Sequence, residues 1–91
     1  MTEQSTPPAP TVGRIVHYVS YGTPGGEYPS VCRAAVVTEV SGHDKIGGST
    51  WYVGLAVLNP EGMFFNQGVR QDEDRGYREG GTWHWPERDS D

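Results

Sequence analysis

The sequence predicts an all-β protein, and three observations carry that reading. The densest apolar stretch, Trp51-Tyr-Val-Gly-Leu-Ala-Val-Leu-Asn-Pro-Glu-Gly-Met-Phe-Phe65, has the form of a β-hairpin. Its first arm is an unbroken run of aliphatic and aromatic residues, which suit a pleated, buried surface. Thirteen glycines and seven prolines in 91 residues point to many turns and short strands. No segment carries the i, i+3, i+4, i+7 apolar stripe of an amphipathic helix.

The elements follow in order. Residues 1–10 are polar and Pro-rich and read as a disordered arm. Residues 11–86 read as a single β domain, and residues 87–91 as a charged tail. Thr11 to Tyr21 reads as the first strand, with apolar groups on both faces. Gly22 to Ser30, rich in Gly and Pro, reads as a long irregular loop of the kind that often carries function. Val31 to Val40 is the second strand; alternation places Cys32, Ala34 and Val36 on one face and Arg33, Ala35 and Val37 on the other. The central hairpin turns at Asn59-Pro60-Glu61-Gly62, which fits a type I turn: Asn bonds back to the backbone, Pro presets φ, and Gly relaxes the last position. Met63-Phe64-Phe65 returns as its partner and extends toward Arg70 through a bulge at Gly68. Thr82-Trp-His-Trp85 is a short last strand stopped by Pro86. Five short strands in this order predict a small antiparallel SH3-like barrel or a strongly bent sheet with disordered termini.

Composition narrows the function classes. Hydrophobic residues make up 34% and aromatic residues 11%, so a few large rings supply much of a thin core. The formal net charge is −5, with Lys45 the only lysine, which argues against a duplex nucleic-acid binder. A single cysteine, Cys32, excludes an internal disulfide and suits a reducing cytosol. No apolar run approaches the length of a membrane span, and the first residues lack the pattern of a signal peptide.

The candidate site is aromatic and cationic. Trp83 and Trp85 share one face of the last strand, with His84 on the other. Exposed rings offer stacking platforms worth about 1–3 kcal/mol per stacked base. Tyr18, Tyr21, Tyr28 and Tyr77 lie in or beside loops and can join them. Arg33, within an apolar strand, either snorkels out or binds an anion bidentately. The expected ligand-binding set is therefore His17, Tyr18, Arg33, Trp83, His84 and Trp85, with at least one Trp partly exposed at the barrel mouth.

His17, His43, His84 and Cys32 could donate to zinc, but no C-x-x-C or H-x-x-x-H pair supports this, so no metal and no cofactor are expected. His43 reads as a solvated loop residue. Cys32, among Ala and Val, reads as a small buried hydrophobe rather than a nucleophile. Asp72-Glu73-Asp74 reads as a solvated charge run, with Arg70, Arg75 and Arg78 as its natural partners. No phosphate-cradling glycine loop is present. With no nucleophile–base pair legible, no enzyme is expected.

The segments Val12-Gly-Arg-Ile-Val-His-Tyr-Val19, Arg33-Ala-Ala-Val-Val-Thr-Glu-Val40, Val53-Gly-Leu-Ala-Val-Leu-Asn-Pro60 and Gly81-Thr-Trp-His-Trp-Pro-Glu87 resemble a family of small proteins of actinobacteriophages and their actinobacterial hosts. The last segment is the most specific. The resemblance implies a phage or prophage accessory protein made in the host cytoplasm and assigns no activity to individual residues. Two roles follow as expectations. One is a non-enzymatic binder of a small ligand, such as a nucleotide signal of host anti-phage defence. The other is an interaction module for a host protein or the virion. No membrane partner is expected, and exposed aromatics on a thin core make a homo-oligomer an expectation as well.

Overall fold

The computed structural model describes residues 8–22, 29–44 and 50–87. The expectations of a disordered arm and a charged tail fall mostly on residues 1–7 and 88–91, and most of the Gly22–Ser30 loop on residues 23–28, all outside the described residues. Five strands form the sheet: β1 (Ile15–Val19), β2 (Cys32–Asp44), β3 (Thr50–Asn59), β4 (Gly62–Gln71) and β5 (Thr82–His84). Each pairs with the next, and β5 returns to β1, so the sheet closes into a ring. All pairs are antiparallel except β4 with β5. That pair is parallel because residues 72–81 loop back before β5 begins, a crossing the chain-order reading did not include.

The central hairpin forms as its sequence dictates. Asn59 pairs with Gly62 across Pro60 and Glu61. Neither loop residue has positive φ, which excludes the I′ and II′ turns and agrees with a type I turn led by Pro. The inward face of the ring carries Val16 and Tyr18 of β1, Ala35 and Val37 of β2, Val53, Leu55 and Val57 of β3, Val69 of β4 and Trp83 of β5, all buried.

The sheet carries three register shifts, two of which flank one residue. The β2–β3 register shifts between Val37 and Glu39, and the β3–β4 register shifts between Val53 and Leu55. Gly54 lies at both shifts. A Cβ there would meet Thr38 Oγ1 at 2.9 Å, so any other residue at position 54 would force the Thr38 side chain to move. Across β4, Gly68 takes φ +61, the left-handed conformation that a bulge demands. The sequence signal at Gly68 thus marks a real bulge. The bulge at Thr38 left no such signal; it swaps the faces of Glu39 and Val40, and the shift between Val40 and Gly42 restores them.

Closure is brief. β5 matches β1 at His17↔His84 and Tyr18↔Trp83, and β4 at Arg70↔Thr82 and Gln71↔Trp83. Two further backbone bonds brace it, from Asp72 N–H to Trp83 O and from Gly81 N–H to Val19 O, both 2.8 Å. The Trp83 indole N–H donates to the Trp51 carbonyl at 3.1 Å, tying β5 to β3 through the interior.

Candidate functional site

The structure divides the six expected ligand residues between two sides of the wall. Tyr18, Arg33 and Trp83 face inward; His17 and His84 face outward on neighbouring strands. They do not form one pocket. Trp83 and Tyr18 are core residues, which corrects their expected role as an open platform. Their inward position on adjacent strands makes them cross-strand partners, and a ring held on both sides has no free face. Trp85 is partly exposed. It stands edge-on to Trp83 at 5.5 Å, and the Arg14 guanidinium lies 4.9 Å from its ring centre.

Trp83 and His84 lie on opposite faces of β5, as strand alternation leads one to expect, yet both are fully buried. His84 points outward, but Arg78, Glu87 and Cys32 cover it. Burial foremost, and Arg78 next, lower the His84 pKa below its usual value, so the ring is neutral at pH 7.

Two places offer chemistry. The first is the mouth of the barrel beside the hairpin turn. A cleft of about 680 Å³ is lined there by Ser20, Tyr21, Pro29, Arg33, Asn59, Pro60, Glu61 and Phe64. Arg33 is half-buried within it, and its Nε has no hydrogen-bond partner among the described residues. The rim is fixed by Ser20. Its backbone N–H donates to the Val31 carbonyl at 2.9 Å, its hydroxyl accepts from the Val31 N–H at 3.1 Å, and its carbonyl accepts from the Ser30 hydroxyl at 2.7 Å. Tyr21 and Phe64 stand exposed at the cleft. Phe64 is not among the site residues expected from the sequence, where it is only part of the hairpin's return strand.

The second place is the outer face where β5, β1 and β2 lie side by side. Donor atoms of His17, Cys32 and His84 lie within 4.8 Å of one another. Cys32 is exposed, not a buried hydrophobe; the outward parity of its strand position decides this, and the apolar run around it concealed it. Burial first, then Glu87, raise its pKa. Glu87 Oε1 lies 3.5 Å from His17 Nδ1 and 3.6 Å from His84 Nε2, while Arg78 bonds its other oxygen. Arg78 thus serves Glu87 rather than the acidic run, while Arg70 pairs with Glu79 at 3.1 Å and also lies 4.0 Å from Asp72 of the run. Glu73 departs from a solvated role too, accepting from the Trp85 N–H at 3.1 Å and the Gln71 amide at 2.7 Å. His43 belongs to β2 and stacks on Trp51 at 3.9 Å, apart from the cluster.

The Glu87 carboxyl is lowered from 4.5 to about 2, first by its own backbone N–H and then by the Arg78 guanidinium. A depressed carboxylate stabilises the fold fully above its unfolded value and loses that contribution as pH falls through its folded value. The window here runs from about 4.5 down to about 2. Arg78→Met is expected to move the Glu87 titration upward toward the usual value, read by NMR of the labelled carboxyl carbon. A Glu87 that titrates near 4.5 in the unaltered protein would contradict the assigned contacts.

No family model, no curated protein and no solved structure matches this chain at a significant level.

Proposed function

We propose that this protein is a non-enzymatic binding module whose barrel mouth takes a small, flat, anionic ligand of the nucleotide class. One observation carries this reading: Arg33 lies in the cleft with its Nε buried and unpartnered among the described residues, near the rings of Tyr21 and Phe64. A guanidinium fork suits a phosphate, and the rings suit a base. Asn59 and Glu61 supply acceptors for amino or hydroxyl groups at the same rim. The cleft falls within the size range of small-molecule sites. For a phage accessory protein, the matching role is sequestration of a nucleotide signal of host defence in the host cytoplasm.

Thermal shift and calorimetry with a panel of linear and cyclic nucleotides test the reading. Arg33→Gln is expected to weaken the best ligand by about 1.5–3 kcal/mol, roughly tenfold to a hundredfold. The melting temperature of the free protein should barely change, since Arg33 makes no side-chain bond among the described residues. Phe64→Ala should cost about 1–3 kcal/mol of binding. A panel in which no nucleotide shifts the melting temperature, or an Arg33→Gln variant that binds as tightly, would defeat it.

A second reading, a protein-interaction module, is favoured by one apolar strip. Leu58, Met63 and Phe65 are exposed on the outer face beside the hairpin tip, Phe65 to 71%. Large exposed apolar groups in one place are a common mark of a contact surface. Sedimentation of the unaltered protein and of Phe65→Ser, alone and with host lysate fractions, separates self-association from a host partner. Loss of nucleotide binding in Phe65→Ser would weigh against a site confined to the cleft.

A further inference from the structure

We propose that His17, Cys32, His84 and Glu87 form a binding site for one zinc-class divalent cation on the outer face of the ring. Two imidazoles, one thiol and one carboxylate make up a donor set that zinc favours. A tetrahedral ion with bonds of about 2.0–2.3 Å sets its donors about 3.3–3.8 Å apart. Three separations match: 3.7 Å for Cys32 Sγ to His84 Nε2, 3.5 Å for His17 Nδ1 to Glu87 Oε1, and 3.6 Å for His84 Nε2 to Glu87 Oε1. The donor atoms of His17, Cys32 and His84 all lie within 4.8 Å of one another, so an ion draws them together by up to about 1 Å. His17 Nδ1 is buried and has no hydrogen-bond partner of good geometry.

The fold assembles these donors without any local motif. His84 of β5 lies opposite His17 of β1, and Cys32 opens β2, paired one step along from His17 at Val19. Glu87 arrives from the segment just after β5. Arg78, bonded to the other Glu87 oxygen, holds the carboxylate toward the imidazoles, the outer-shell role that orients metal ligands. An arrangement of Glu87 with two imidazoles and an arginine can stand as an ion-pair network alone. The Cys32 thiol, 3.7 Å from His84 Nε2, adds a sulfur donor that such an ion-pair network does not need and a zinc site uses.

Cys32 enters as the thiolate, its proton passing to solvent; the imidazoles enter neutral and Glu87 already ionised. Four protein donors leave no open coordination position, so the ion is structural. It fastens β5, a strand of only three residues, to β1 and β2. The site lies on the outer wall and shares no residue with the cleft at the mouth, so either proposal can fail without the other.

Cobalt titration of the full-length, metal-free protein tests this, with zinc as competitor. The expected result is one cobalt per chain, tetrahedral ligand-field bands, a thiolate-to-cobalt charge-transfer band, and displacement by zinc with Kd below about 100 nM. Zinc held at a hundredfold excess over Kd should raise the melting temperature by roughly 10 °C or more. Cys32→Ser, at an exposed position, keeps the fold; it should abolish the charge-transfer band and weaken zinc at least about tenfold. Glu87→Gln should also weaken zinc while keeping the charge-transfer band. Zinc weaker than about 10 μM, beyond the range of structural sites, octahedral cobalt, or unchanged affinity in Cys32→Ser would overturn the site and leave an ion-pair cluster only.

Discussion

Trp83→Ala is expected to leave the protein largely unfolded at room temperature. Trp83 is fully buried and is the largest side chain in the core. Truncating a buried Trp costs about 3–5 kcal/mol through lost transfer energy and the cavity left behind. The change also strands the Trp51 carbonyl that accepts the indole N–H, at about 1–3 kcal/mol more. A domain of this size has only about 5–10 kcal/mol to lose. The effect is compounded by topology. β5 meets each neighbour at two residue pairs, so the Trp83 side chain supplies much of what holds the ring shut. Urea melts followed by circular dichroism read the loss. Trp83→Phe, which keeps most of the ring but not the N–H, should fold with reduced stability. A Trp83→Ala variant that melts like the unaltered protein would show that β5 does not close the ring through this side chain.

Leu55→Ala is expected to cost about 2–5 kcal/mol, with the urea m-value unchanged. Leu55 is fully buried at the middle of β3, the strand with full-length neighbours on both sides. Its surroundings are the backbones of β2 and β4 and the side chains of Val37 and Val53, which a closed ring holds apart. A cavity there cannot collapse, which places the cost toward the upper part of the range. An unchanged midpoint would remove Leu55 from the core.

The parts of the fold legible in the sequence are those set by local chemistry. The Asn59-Pro60-Glu61-Gly62 turn, the Gly68 bulge and the short strand ending at Pro86 each rest on residues whose backbone preferences are strong. The parts that were not legible depend on partners distant in sequence. The bulge at Thr38 arises because Gly54 lets it approach, and nothing near Thr38 announces it. Cys32 and Ala35 sit in the same apolar run, yet one faces out and the other in; a run without polar alternation hides its own faces. Met63, Phe64 and Phe65, the hairpin's return strand in the sequence, are exposed, because β5 reaches β4 only at Arg70 and Gln71. The first half of β4 has β3 alone beside it among the described residues.

The candidate sites show the same limit. Arg33 stood out because a charge inside an apolar strand is unusual at the level of residues. His17, Cys32 and His84 come together only through strand pairing; Cys32 and His84 alone are 52 residues apart. Zinc motifs recognisable by spacing sit on one turn or one hairpin; a set drawn one per strand leaves no spacing to read.

The most direct test of the central claim is to map ligand contact residue by residue. Amide nitrogen–proton NMR spectra recorded during titration with the nucleotide that gives the largest thermal shift would do so. The account predicts saturable shifts confined to Ser20, Tyr21, Arg33, Asn59, Glu61 and Phe64, at the barrel mouth, and their loss in Arg33→Gln. Shifts clustered instead on the outer face around His17 and His84, or at Leu58, Met63 and Phe65, or absent throughout, would contradict it.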